Sequence, residues 1–86
     1  MISSCQMRAG RALLGWNAIE LAKHSGVGVA TVRRYELQKG IPSGNSQTMH
    51  SLQRAMESAG IEFTGDPLVT PGVTLHLNHP PHQTDD

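Results

Sequence analysis

The stretch Asn17–Glu36, NAIELAKHSGVGVATVRRYE, decides the fold of this chain. Asn17 can cap a helix, and Glu20 lies three residues later, so the two predict a capping box at a helix start. Gly26 stands where a left-handed residue ends that helix and turns the chain. A second helix follows, in which Val29, Val32 and Tyr35 form an apolar stripe at helical spacing. The stretch therefore predicts two short helices joined by a tight glycine turn.

The second of these helices has a side that does not face the interior. Arg33 and Arg34 lie between its apolar positions and therefore project away from the packed side. A second helix with one buried and one exposed face, placed after a glycine turn, is typical of a helix-turn-helix. The residues that we expect to contact a partner or DNA from this side are Val29, Ala30, Arg33, Arg34 and Lys39.

Two more helices are predicted around this motif. Ser3 and Gln6 form a second capping-box pattern, and in the helix that follows Met7, Leu14 and the nearby Trp16 are expected to face the core. A loop rich in glycine, proline, serine and asparagine comes after the second helix of the motif. Ser46 is then expected to cap a last helix, which Gly60 ends. The apolar stripe of that helix is Met49, Leu52, Ala55, Met56 and Ala59.

Beyond Gly60 the apolar period changes to two, which predicts strands at 61–64 and 73–77. An isolated hairpin is marginal in water, so these strands should lean on the helices or pair with another chain, giving a homodimer through the C-terminal strand. The predicted organisation is a helix-turn-helix domain over 1–60, a hairpin over 61–77 and a disordered tail over 78–86.

Length and composition favour one small domain. The chain has 86 residues and a single cysteine, Cys5, so it forms no internal disulfide. It contains no apolar run long enough to span a membrane, and its N-terminus lacks the order of a signal peptide. We therefore expect a cytoplasmic protein without a membrane partner.

With Leu14-Gly15-Trp16 before it, the opening stretch resembles the Xre family of bacterial and phage regulators, the Cro and C1 type of helix-turn-helix, over roughly residues 5–60. The resemblance implies a mainly α fold, a bundle of four to five helices, here followed by a short C-terminal β-hairpin or extended segment. In that family an arginine of the first helix and a late glutamate of the recognition helix form a partly buried ion pair. Arg11 and Glu36 match these positions.

Charge gives mixed indications for DNA binding. The whole chain has a formal net charge of zero, whereas residues 1–64 hold seven basic and four acidic residues, a net charge of +3. The resemblance implies that Arg34 can read a base edge. However, Ala18 stands where the family usually has a phosphate-binding glutamine, and the recognition helix starts with Gly28, Val29 and Ala30 where polar residues are usual.

Two functions remain open from these residues. Val29 and Ala30 beside Arg33 and Arg34 form an apolar spot rimmed by cations, which suits a protein partner better than a phosphate backbone. The favoured hypothesis is an antiactivator, similar to the small QseM-like members of mobile genetic elements, that binds a transcriptional activator through its helix-turn-helix face and acts negatively. The alternative is a dimeric, sequence-specific repressor that binds double-stranded DNA.

No catalytic constellation, cofactor motif or metal site is expected. His76, His79 and His82 recur at three-residue steps, but prolines interrupt the tract and no cysteine or flanking carboxylate completes a ligand set. The chain has no glycine-rich phosphate loop, nucleophile elbow or paired acids. We therefore expect a binding protein and no enzyme.

Overall fold

The computed structural model describes residues 1–77, which form four helices followed by a two-stranded antiparallel sheet. The elements, in chain order, are α1 (Ser4–Leu14), α2 (Ala18–Ser25), α3 (Val29–Leu37), α4 (Ser46–Ser58), β1 (Ile61–Thr64) and β2 (Gly72–Leu75). The expectation of a mainly helical chain with a C-terminal hairpin is confirmed at this level. The predicted disordered tail, 78–86, with His79 and His82, lies outside the described residues.

Local hydrogen bonds set where the helices begin. Both predicted capping boxes are present, at Ser3 with Gln6 and at Asn17 with Glu20. Gly26 ends α2 with a φ of 75°, the left-handed conformation that glycine adopts without strain. The prediction for α4 was wrong by one residue: Asn45, and not Ser46, is the cap. Its side-chain oxygen accepts the backbone N–H groups of the next helix residues because an Asx side chain reaches them from this position.

The core joins the helices to the start of the sheet. Nine apolar residues are buried in it: Ile2, Met7, Leu21, Val32, Tyr35, Met49, Leu52, Met56 and Ile61. Leu21 of α2 and Val32 and Tyr35 of α3 belong to the same cluster, and Val27 in the intervening turn packs against it. Burial of these side chains is worth about 1.5–3 kcal/mol for each large one, and it fixes α2 against α3.

Trp16 packs against the edge of the core, as the sequence predicted, but it is not fully buried. The indole is half-buried and stacks on the His24 imidazole, with ring centroids 4.0 Å apart and an interplanar angle of 2°. The turn after α1 brings Trp16 to the surface beside the end of α2, where an aromatic ring can pack on a neighbour while part of it stays in water.

The hairpin leans on the helices through its inner face. β1 and β2 pair with Ile61 opposite Leu75 and Phe63 opposite Val73, and these four side chains pack toward the core. The buried side chain of Gln6 fixes the loop end of the hairpin, because its Nε2 donates to the carbonyl oxygens of Thr64 (3.1 Å) and Gly72 (3.0 Å). The second strand ends at Leu75, two residues earlier than predicted.

Candidate interaction surface on helix α3

The side of α3 that points away from the core carries four exposed residues, which we call the α3 face: Ala30, Arg33, Arg34 and Leu37. They lie at positions i, i+3, i+4 and i+7, so they share one side of the helix. Leu37 is 84% exposed, although leucine is normally among the more buried residue types. The α3 face therefore has an apolar stripe with a guanidinium group on each side.

The predicted contact residues are not all equally available. Ala30, Arg33 and Arg34 lie on the α3 face, and Lys39 is exposed just beyond the end of the helix. Val29 is half-buried, because the first residue of α3 lies at the edge of the packed side.

Leu37 was not predicted as a contact residue, because the stretch that predicts the two helices ends at Glu36, one residue before it. Its distance of seven residues from Ala30 was the signal that could have placed it on the presented side.

Arg34 is held by the ring of the residue that follows it. Its guanidinium carbon lies 5.6 Å from the centroid of the Tyr35 ring, within the range of a cation–π contact. The ring is itself fixed, because its buried hydroxyl accepts the backbone N–H of Asn45 at 3.0 Å. Arg33 makes no hydrogen bond or ion pair within residues 1–77, so its guanidinium group is available to a partner.

Beneath the α3 face, the structure brings Arg11 and Glu36 together. The Arg11 Nε donates to Glu36 Oε2 at 2.8 Å and its Nη2 donates to Oε1 at 3.0 Å, a two-pronged geometry that only arginine can give. The glutamate side chain is 8% exposed and the arginine side chain 24%. The Nη1 of Arg11 also donates to the carbonyl oxygen of Trp16 at 3.0 Å, so the same side chain binds the turn that follows α1.

Side chains of α1 also bind the last carbonyl groups of α3. Ser4 Oγ donates to the Tyr35 carbonyl oxygen at 2.8 Å, and Arg8 Nη1 donates to the Glu36 carbonyl oxygen. The final carbonyls of a helix lack partners within the helix, so these bonds satisfy groups that would otherwise need water. They hold the C-terminal turn of α3 against α1.

The N-terminus of α2 is already occupied by a carboxylate. Glu20 Oε1 accepts the Asn17 N–H at 2.8 Å, and Asn17 Oδ1 accepts the Glu20 N–H at 2.8 Å. A helix N-terminus attracts anions, and here an acidic side chain fills that role. Ala18, where the resemblance implies a phosphate-binding side chain, is half-buried and offers no donor from its side chain. A phosphate would meet repulsion at this end of α2.

Other polar groups of the hairpin pair locally. His76 Nε2 lies 2.7 Å from Glu62 Oε1 on the exposed side of the sheet. Within residues 1–77 no three histidine, cysteine, aspartate or glutamate side chains cluster closely enough to hold a metal ion. None of the helices in that range has the length and apolar character needed to cross a bilayer.

Comparison with known proteins adds no relative from which a role could be read. The chain matches no protein-family model and no curated protein sequence.

Proposed function

We propose that this chain is a small helix-turn-helix regulator of the Xre type. In this proposal it acts as an antiactivator: it binds a transcriptional activator through the α3 face and lowers transcription, with weak or lost DNA binding. The observation that carries the proposal is the exposure of Leu37. Its side chain is 84% exposed, and around the helix it lies between Arg33 and Arg34, one turn further along.

A leucine in this place favours a protein partner. Removing its side chain from water is worth about 1.5–3 kcal/mol, which only an apolar contact can recover. Arginine is enriched among the residues that contribute most to protein interfaces, and the two guanidinium groups flank the leucine. A DNA groove offers an apolar side chain little beyond thymine methyl groups.

The surroundings of α3 also favour protein over phosphate. The α2 N-terminus presents Glu20 where a phosphate would dock, and the loop after α3 supplies a single cation, Lys39, before Ser46. Phosphate contacts position a DNA-binding protein and supply most of its affinity. With so few of them, the expected affinity for duplex DNA is low.

The experiment that tests the proposal measures binding to the activator of the promoter that this protein regulates, beside binding to that promoter's DNA, over a series of salt concentrations. We expect a protein complex that tolerates salt, and weak duplex binding that salt abolishes. Arg33→Ala, Arg34→Ala and Leu37→Ser should each weaken the protein complex. Ile19→Ser, an exposed apolar position on α2, serves as the matched control.

One observation favours the alternative, a dimeric DNA-binding repressor. Arg33 and Arg34 are adjacent and exposed, and the α3 face carries no acidic residue. Arginine is the residue that most often reads guanine in the major groove. Tight, steeply salt-dependent binding to an operator with two half-sites about one helical turn apart, together with no effect of Leu37→Ser, would select the repressor and reject the antiactivator.

A further inference from the structure

An apolar groove continues from the end of α3 across α1 to the hairpin loop. Its first part, about 420 Å³, is lined by Leu37 and Leu68, and its second part, also about 420 Å³, is lined by Ala9 and Leu13. Cys5 and Pro71 line both parts, so the two adjoin. We call this surface, defined by those six residues, the α1 groove.

The α1 groove has the composition of an interaction site. Its three leucines are exposed, at 47% for Leu13, 84% for Leu37 and 64% for Leu68. Cys5, Ala9 and Leu13 recur every four residues and so form one side of α1. Eight residues of helix span about 12 Å, which accommodates at least two turns of a bound helix.

The rim of the α1 groove is positively charged. Arg8 and Lys39 line its first part, and none of the residues that line either part is acidic. The nearby Asp66 carboxylate is directed to its own loop, where it accepts the backbone N–H groups of Leu68 at 2.8 Å and Val69 at 3.1 Å. An occupant that complements this surface must bring carboxylates beside apolar side chains.

From this complementarity we infer that the α1 groove binds an acidic amphipathic helix of the activator. The inference rests on the proposed function and extends it, because the α1 groove shares Leu37 with the α3 face and adds contacts on α1 and the hairpin loop. A second copy of this chain fits less well, since a symmetric interface would bring the same two cations of each copy toward one another. Double-stranded DNA fits less well because its phosphates cannot fill an apolar groove.

The test uses Cys5, the single cysteine of the chain, which is exposed in the middle of the α1 groove. Its rate of alkylation by iodoacetamide is measured with the full chain. The probe is a synthetic helical peptide of about four turns with leucines at i, i+3, i+4 and i+7 and glutamates elsewhere. The control peptide has lysine in place of every glutamate. We expect the glutamate peptide to slow alkylation several-fold and the lysine peptide to leave the rate unchanged.

Variants locate the bound peptide. Leu68→Gln, in an exposed loop, and Leu13→Gln should each lower the affinity for the glutamate peptide about tenfold. Ile19→Gln on α2 should leave that affinity unchanged. Circular dichroism checks that each variant is folded, and Leu68→Gln keeps the test decisive if Leu13→Gln unfolds.

Several results would overturn the inference. They are the absence of protection by the glutamate peptide, equal protection by the lysine peptide, protection by a duplex DNA of mixed sequence, and protection that grows with the concentration of the protein alone. The last two identify DNA and a second copy as the occupant.

The same variants separate this inference from the proposed function. If Arg33→Ala and Arg34→Ala weaken binding to the activator while Leu13→Gln and Leu68→Gln do not, the α1 groove plays no part in that complex and the proposed function stands. If the activator binds all four variants equally, the proposed function is wrong, and with it the assignment of the groove's occupant to the activator.

Discussion

Gly44 lies directly against the end of the Tyr35 side chain, and a Cβ atom added to it would come 2.7 Å from the ring carbon Cζ and closer still to the hydroxyl oxygen. Its φ of 153° is also one that other residues rarely adopt. The contact matters because the Tyr35 hydroxyl accepts the backbone N–H of Asn45, the residue that caps α4.

Gly44→Ala is therefore expected to lower the free energy of unfolding by about 3 kcal/mol, since the ring must move and the backbone is strained. Urea denaturation followed by circular dichroism measures the loss. Gly28→Ala is the matched control, because a Cβ there meets nothing within 4 Å, and its effect should stay below about 1 kcal/mol. Equal effects of the two changes would contradict the role given to the Tyr35 contact.

The ion pair between Arg11 and Glu36 predicts an asymmetry. Arg11→Met leaves the glutamate, whose side chain is 8% exposed, without its partner. We expect it to lower the free energy of unfolding by about 3 kcal/mol. Glu36→Gln keeps an oxygen for the arginine, which is 24% exposed and can reach water, so we expect a loss of about 1–2 kcal/mol.

The double variant Arg11→Met, Glu36→Leu is expected to be more stable than Arg11→Met alone, because no buried charge remains. Thermal and urea unfolding of the three proteins check this order. A larger loss of stability for Glu36→Gln than for Arg11→Met would contradict this prediction. It would mean that an unpaired Arg11 costs more than an unpaired Glu36.

Gln6 of α1 provides a way to loosen the hairpin without changing a residue of α2 or α3. In Gln6→Glu the side chain can still accept the N–H of Ser3, but it loses both donors to Thr64 and Gly72. We expect faster amide hydrogen exchange in β1 and β2 and unchanged exchange in α2 and α3. Gln47→Glu, in the exposed first turn of α4, should change neither. Uniformly faster exchange in Gln6→Glu would mean that the hairpin does not open separately.

The stack of Trp16 on His24 can be followed by fluorescence, because the chain has one tryptophan. His24→Ala should move the emission to longer wavelength as more of the indole meets water, with a stability loss of about 1 kcal/mol. His50→Ala, exposed on α4, should leave the emission unchanged. An unshifted spectrum in His24→Ala would mean that the two rings are not in contact in solution.

Leu37→Arg separates the two proposed functions in one variant. Because the side chain is 84% exposed, we expect the midpoint of thermal unfolding to change by no more than about 2 °C. Binding to the activator should weaken at least about tenfold, since the apolar centre of the α3 face is lost. Isothermal titration calorimetry measures binding to the activator, and a gel shift measures binding to duplex DNA. Unchanged activator binding with a gain in duplex affinity would favour the DNA-binding alternative.

Short-range chemistry was well predicted by the sequence. The capping boxes at Ser3 and Asn17 involve residues three apart, so the pattern and the hydrogen bonds coincide. The N-cap of α4 was misplaced because Asn45 and Ser46 are both good caps and only the loop geometry chooses between them.

Long-range features could not be predicted from local patterns. The bonds of Gln6 to the hairpin span 58 and 66 residues, and they depend on how α1 and the sheet pack together. Leu37 lies one residue beyond the stretch that predicted the helices, and its 84% exposure depends on how the end of α3 packs on α1. The α1 groove likewise arises only when the hairpin loop folds beside α1.

The bonds from Ser4 and Arg8 of α1 to the last carbonyl groups of α3 have a consequence for recognition. They make the two helices one preorganised body, so the arginines and leucines they present keep their relative positions before any encounter. A partner then docks without first ordering its target, which lowers the entropic cost of association. We therefore expect the complex to form quickly, and its lifetime to depend on how well the partner's own segment is prearranged.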